Sequence, residues 1–134
     1  MNEHYTIPLS PVTKKNSSQI VFAGAKCPVC KRGRIARLLP SKKYREYEKA
    51  ALWCLKRKEP ITKPVNVQCL FYMPTARKVD LTNLLEAVCD ALVTAGVLAD
   101  DNSKIVVSHD GSRVLLDRDK PRTEIYITEV RDGL

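Results

Sequence analysis

The sequence predicts an α+β domain, a mixed β-sheet with two main helices packed on it, and three observations carry that prediction. Residues 65–73 alternate, with Val65, Val67, Cys69, Phe71 and Met73 on one side, the period-2 pattern of a strand with one buried face. After Asp80, the apolar residues Leu81, Leu84, Leu85, Val88, Leu92 and Ala95 recur at i, i+3, i+4, i+7, i+11 and i+14, which draws one apolar stripe along a helix. The chain has 134 residues, 44% apolar and 28% charged, enough for one globular domain whose core needs no disulfide or metal staple.

Taken in order, residues 5–9 alternate as a first strand, closed by Ser10 and Pro11. A polar, basic loop follows over 13–18. Residues 19–23 and 34–39 read as two short strands of a β-hairpin, whose tip at 24–33 carries Cys27-Pro28-Val29-Cys30. Pro40 and Ser41 open the first helix, with Ser41 as its N-cap. Tyr44, Tyr47, Ala51, Leu52 and Leu55 share one face of it, while Lys42, Lys43, Arg45, Lys49 and Lys56 lie elsewhere; residues 58–60 close it. Pro74 ends the strand over 65–73, and Gly96 stands just past the second helix as its C′ residue. Two last strands, 104–108 and 122–130, are joined by a polar loop around 117–121. The order is β, β-hairpin, α, β, α, β, β, in a single domain over residues 1–134 without internal repeat or linker.

Net charge is +8, unevenly spread: residues 1–58 hold 14 Lys/Arg against 3 Asp/Glu, and residues 59–134 hold 9 against 12. A basic half beside an acidic half suggests a polyanion held by one part and different chemistry in the other; solvated lysine-rich faces are the plainer alternative. No apolar run approaches the ~20 residues of a membrane span, and the first residues lack a signal-peptide pattern. Five cysteines, an odd number, fit reduced thiols. The expectation is a cytoplasmic protein with no membrane partner and no small-molecule cofactor.

The carboxylates of Asp80, Asp100 and Asp101 are the clearest chemical signal. They flank a helix of ~15 residues, ~22 Å long, so they share a ligand only if the chain folds back along that helix. Together they would offer hard oxygen donors suited to Mg²⁺ or Mn²⁺, and such an ion serves phosphodiester cleavage. Asn83, Glu86 and Asp90 share a polar stripe on the same helix, and Arg77 and Lys78 stand directly before it to draw in a polyanion. The alternative is structural, with Asp80 as an N-cap and Asp100-Asp101-Asn102-Ser103 as a turn.

Arg77-Lys78-Val79-Asp80-Leu81-Thr82-Asn83-Leu84, then Asp90-Ala91-Leu92, Ala95-Gly96 and Asp100-Asp101, resemble the signature of the RusA-type Holliday-junction resolvases. That signature is a basic residue or two, D-x-D-N-L, a helix with D-A-L, then a D-D pair. The stretches from Pro40 to Glu48 and from Pro121 to Ile127 look like the family's first helix and last strand, especially in its phage-borne members. The resemblance implies a RusA-like homodimer, encoded by a bacterium or a phage, that binds four-way DNA junctions. It also implies symmetric nicking of two strands in recombination and repair, using Mg²⁺ or Mn²⁺. Asp80 matches the first acid of D-x-D, Asp101 the late catalytic aspartate with Asp100 beside it, and Asp90 the supporting D-A-L aspartate. Lys14, Lys15 and Asn16 match a polar loop near the start and would touch DNA, as would Arg77 and Lys78. Two departures stand out: Thr82 replaces the second acid, and Glu86 stands where the best-known branch has lysine. Glu86, one turn after Thr82, is the candidate to replace the lost carboxylate, with Asn83 alongside. A catalytically weak or inactive junction-binding protein of the same fold is the competing reading.

Cys27 and Cys30 form half of a zinc ribbon. No second C-x-x-C exists, so a zinc site would need the same knuckle from a second chain across a two-fold axis, or His4 or His109. A metal-free loop is the alternative, and a zinc-dependent interaction module a third functional class. The family core typically lacks this tip.

Overall fold

Val65, Val67, Cys69, Phe71 and Met73 are all buried on one side of β4 (Val65–Met73), and the rest of the domain is arranged around that strand. The computed structural model describes residues 2–13, 18–23, 35–40 and 42–130, with 18–23 and 35–40 through their backbone pairing. Antiparallel to β4 runs β7 (Arg122–Glu129), whose Thr123, Ile125 and Ile127 continue the buried face. Beyond it, antiparallel again, lies β1 (Asn2–Ile7), which contributes Ile7 to the core. On its other edge β4 pairs in parallel with β5 (Val106–Ser108) at its start and β6 (Arg113–Leu116) at its end.

Helix α1 (Lys42–Cys54) packs Tyr44, Tyr47 and Ala51 against the core, and α2 (Leu81–Thr94) packs Leu84, Val88 and Leu92. Helices on one face and a polar opposite face make this a two-layer α+β fold. The helix between β4 and β5 supplies the crossover that parallel pairing requires. Strands β2 (Ser18–Ala23) and β3 (Ile35–Pro40) pair antiparallel as a separate two-stranded sheet. Its tip at 24–34, with Cys27 and Cys30, lies outside the described residues, as do Lys14, Lys15 and Asn16. Among the described residues no helix is long and apolar enough to cross a membrane.

Three bounds depart from the sequence expectation. The first strand is Asn2–Ile7 rather than 5–9, since pairing with β7 extends it toward the N-terminus. Helix α1 ends at Cys54 rather than near residue 58; the Arg57 guanidinium instead meets Glu3 of β1, with Nε 3.0 Å from Oε2. The expected strand over 104–108 shortens to Val106–Ser108, because Ile105 and Val106 donate to the Asn102 carbonyl in a helical turn. Strand β6 has no counterpart in the sequence reading. Val114 and Leu116 are exposed, so the segment lacks the buried alternation that announces a strand.

Between β5 and β6 the edge ladder breaks, and side chains complete it. The His109 Nδ1–H donates to the Val67 carbonyl at 2.9 Å, and the Ser112 hydroxyl accepts from the Cys69 N–H at 3.0 Å. Asn66 grips the same turn from the polar face, accepting from the Asp110 N–H at 2.7 Å and donating to the Asp110 carbonyl at 3.2 Å. Gly111 takes φ +87° beneath Gln68, whose amide donates to its carbonyl at 3.2 Å. A Cβ on Gly111 would lie 2.7 Å from Gln68 Nε2, so both φ and space favour glycine.

Ser112→Ala should strand the Cys69 N–H and cost about 1–2 kcal/mol. The urea midpoint should fall in proportion, while Ser112→Thr, which keeps the hydroxyl, should stay near the parent. Equal midpoints for parent and Ser112→Ala would show that the ladder does not need the side chain.

Candidate active site

Residues 75–78 leave β4 as an exposed loop, so Arg77 and Lys78 both reach solvent ahead of α2. Asp80 occupies the N-cap with extended backbone angles, φ −86° and ψ 118°, and its carbonyl accepts from the Leu84 N–H at 3.2 Å. Its carboxylate makes no capping bond. Instead Asn83 Nδ2 donates to Asp80 Oδ2 at 3.2 Å. The N-cap expectation therefore holds for the backbone and fails for the side chain, which stays exposed and available to a ligand.

The chain folds back along α2, but it brings Asp101 and not Asp80 or Asp100 to a concavity beside that helix. Gly96, at φ +81°, turns the chain out of α2, and the Val97 and Leu98 N–H groups close onto the Leu92 carbonyl. Ile61 then holds the returning strand, donating to Val97 and accepting from Ala99. A tight turn follows, in which Asp100 accepts from the Asp101 N–H at 2.8 Å and from Asn102 Nδ2 at 3.0 Å. Those two donors, the backbone first, hold the Asp100 carboxyl below its ordinary range. Asp100 thus shapes the turn, and Asp101 is the acid that the turn delivers.

Asp101 arrives beside the N-terminal half of α2. It lines a concavity of about 290 Å³ with Thr82, Leu85, Glu86 and Cys89 of the helix and His109 of the sheet edge. Positions 82, 85, 86 and 89 follow helical spacing, so one stripe of α2 faces Asp101. Glu86, standing where the family pattern has lysine, shares this concavity with Thr82, which stands where an acid is expected. Asp80 and Asp100 do not line it. Asp90 lies on the side of α2 toward α1, where it adds to the effect of burial and of Glu48 in raising the Tyr44 hydroxyl.

His109 entered the sequence reading only as a zinc donor; here it belongs to this concavity. In the tautomer that gives Nδ1–H to the Val67 carbonyl, the lone pair lies on Nε2. That nitrogen is 3.9 Å from Cys89 Sγ. Burial pushes the Cys89 thiol up to about 12, with Asp101 and then Asp90 adding to it, so the thiol keeps its proton and donates weakly to Nε2. The Asp110-Gly111 pair after His109 signals a turn. Only the register of that turn on β4 aims the ring at α2.

Glu86, Asp101 and Thr82 are oxygen donors of the class that Mg²⁺ and Mn²⁺ take. Among the described residues no three His, Cys, Asp or Glu side chains gather closely enough to hold a metal ion. A site with one or two protein carboxylates fits Mg²⁺ nonetheless, because that ion keeps several waters and takes remaining ligands from substrate phosphates. The zinc expectation gains no partner from the described residues. His4 stacks on Tyr126 at 4.4 Å and faces Glu124, His109 is engaged as above, and Cys69 and Cys89 are buried free thiols.

A family model described as Endodeoxyribonuclease RusA matches residues 8–128, and the chain belongs to that family. A comparison with curated proteins returns no match.

Burial raises the Cys69 thiol as it does that of Cys89, so both should resist iodoacetamide at pH 8 in the native state. Mass spectrometry should find them alkylated only after unfolding. Rapid native labelling of Cys89 would mean that the concavity opens to solvent at the thiol.

Proposed function

We propose that this RusA-family chain is a metal-dependent endodeoxyribonuclease acting on four-way DNA junctions, with its reacting centre at the concavity between α2 and the sheet edge. The observation that carries this reading is the return of Asp101 to Glu86, Thr82 and His109. Asp101 and Glu86 would hold the ion, with Thr82 offering a neutral oxygen, so that Glu86 would supply the carboxylate that Thr82 does not. Asp80, exposed beside Asn83, is the outer carboxylate of the site. Asp100 positions Asp101, and Asp90 ties α2 toward α1 without entering the chemistry.

A bound Mg²⁺ or Mn²⁺ acidifies water and offsets the charge that builds on phosphoryl oxygens. His109 Nε2, once water displaces the weak Cys89 thiol contact, accepts the proton of the attacking water as its oxygen bonds to phosphorus and the bond to the leaving strand oxygen breaks. The Val67 carbonyl fixes the ring in the tautomer this requires. Arg77 and Lys78, with the basic residues of the N-terminal half, hold phosphates without reading sequence, which suits recognition of junction shape. Two copies about a two-fold axis would present two such centres to a symmetric junction, giving paired nicks in recombination intermediates of a bacterium or a phage.

With a labelled four-way junction and Mg²⁺, the parent should nick two opposed strands, and chelation should stop nicking while leaving the junction bound. Asp101→Asn should lower the nicking rate by on the order of 10²-fold or more while binding stays within about threefold, since a ligand is lost and no basic residue is. His109→Asn can still donate to Val67, so its stability should hold while the rate falls on the order of 10²-fold. Binding without nicking by the parent would instead favour the inactive junction binder, the reading that Thr82 makes specific.

A further inference from the structure

Trp53 projects from the outer face of α1 with 69% of its surface exposed, the largest exposure of any large apolar side chain among the described residues. An exposed indole on a folded domain is informative when it stands within a patch of distinct chemistry. Lys49, Leu52, Trp53 and Lys56 fall at i, i+3, i+4 and i+7 and line a shallow concavity of about 360 Å³. Lys56 Nζ sits 4.4 Å from the centre of the Trp53 ring, and Lys49 lies one turn earlier on the same stripe. No carboxylate lines the concavity. Nearby acids are engaged elsewhere, Glu46 with Lys42 at 4.0 Å and Glu3 with Arg57 at 3.0 Å. Among the described residues neither Lys49 nor Lys56 has an ion-pair partner. An indole with the Lys56 ammonium over one ring face and Lys49 one turn away on the same stripe, on a chain of net charge +8, fits a flat ring carried on a polyanion that stacks on the other face.

We infer that Trp53 is a stacking platform for an unpaired nucleobase, with Lys49 and Lys56 taking the phosphates on either side. Paired bases inside a duplex hide their faces, whereas a base at a branch point or in a single strand offers one, and such stacking tolerates any base. Charge argues against a second copy of this chain on the same face, since the two lysines would then confront their own counterparts across a two-fold axis. The platform lies outside the concavity of Asp101 and His109 and touches no reacting group. It rests on the reading that the chain binds DNA, and it adds the part of that DNA which is gripped.

Because the chain contains one tryptophan, its fluorescence reports this platform alone. Fluorescein-labelled oligo(dT) and a duplex of equal length are titrated into the full chain with chelator present, following label anisotropy for binding and indole emission for stacking. Oligo(dT) should quench the emission as the anisotropy saturates. Trp53→Ala should weaken oligo(dT) binding by on the order of tenfold and duplex binding by less than about twofold, with Trp53→Phe near the parent. Saturating anisotropy with unchanged emission and equal affinity of Trp53→Ala would overturn the platform and leave DNA binding intact. Emission that shifts with protein concentration alone would overturn it in favour of a contact between copies. Failure of any DNA to raise the anisotropy would overturn both the platform and the reading beneath it.

Discussion

The architecture depends on how one edge of β4 satisfies its backbone where its partner strand breaks. Val67 and Cys69 are fully buried residues in the centre of the sheet, and a carbonyl or N–H left unpaired there would cost about 1–3 kcal/mol each. His109 and Ser112 remove that cost by lending side-chain atoms to the ladder. The same bonds fix where the turn between β5 and β6 sits, because Asn66 and Gln68 clamp it from the opposite face. A backbone requirement of the sheet thereby decides the tautomer and direction of an imidazole. Among the described residues, that imidazole is the only aromatic ring lining the Asp101 concavity.

Helix α2 serves three surfaces at once, and its sequence divides accordingly. Leu84, Val88 and Leu92 fill the core, Thr82, Glu86 and Cys89 face Asp101, and Asp90 turns toward Tyr44 of α1. Because these positions lie on one rigid rod, the distance between the returning turn and the helix stripe is set by core packing rather than by loop flexibility. Exchanging an acid at 82 for one at 86 moves a carboxylate by a single turn, about 6 Å, within the same concavity. The two departures together put a carboxylate at 86 instead of 82 and remove the lysine of the family's best-known branch.

Electrostatics divides the molecule differently from the fold. Acids on the polar face of the sheet are paired: Asp117 and Glu124 both hold Arg122, whose guanidinium lies 3.8 Å over the Tyr72 ring. Such half-exposed pairs add little stability, yet they neutralise that face. Among the described residues, Lys49 on α1, Lys56 just after it, and Arg77 and Lys78 on the loop before α2 have no ion-pair partner. A polyanion meeting this surface is drawn to the helical side of the domain, where Asp101 and Trp53 both lie, and away from the sheet's outer face.

Sequence alone determined the elements whose burial is periodic. The alternation over 65–73 and the stripe from Leu81 to Ala95 returned as β4 and α2 with little change, because one-sided burial writes a period into any strand or helix. It also singled out Asp80, Asp101 and Glu86, since the spacing of the family signature survives in the chain. The exposed β6 left no period to read, and the end of α1 was decided by Arg57 reaching Glu3 on a distant strand. Only the tertiary structure decided that Asp101 meets the stripe of α2 from Thr82 to Cys89, and that His109 joins it. Both follow from the Gly96 turn and the clamped turn between β5 and β6, contacts between residues roughly 20 to 40 apart whose register no local pattern encodes.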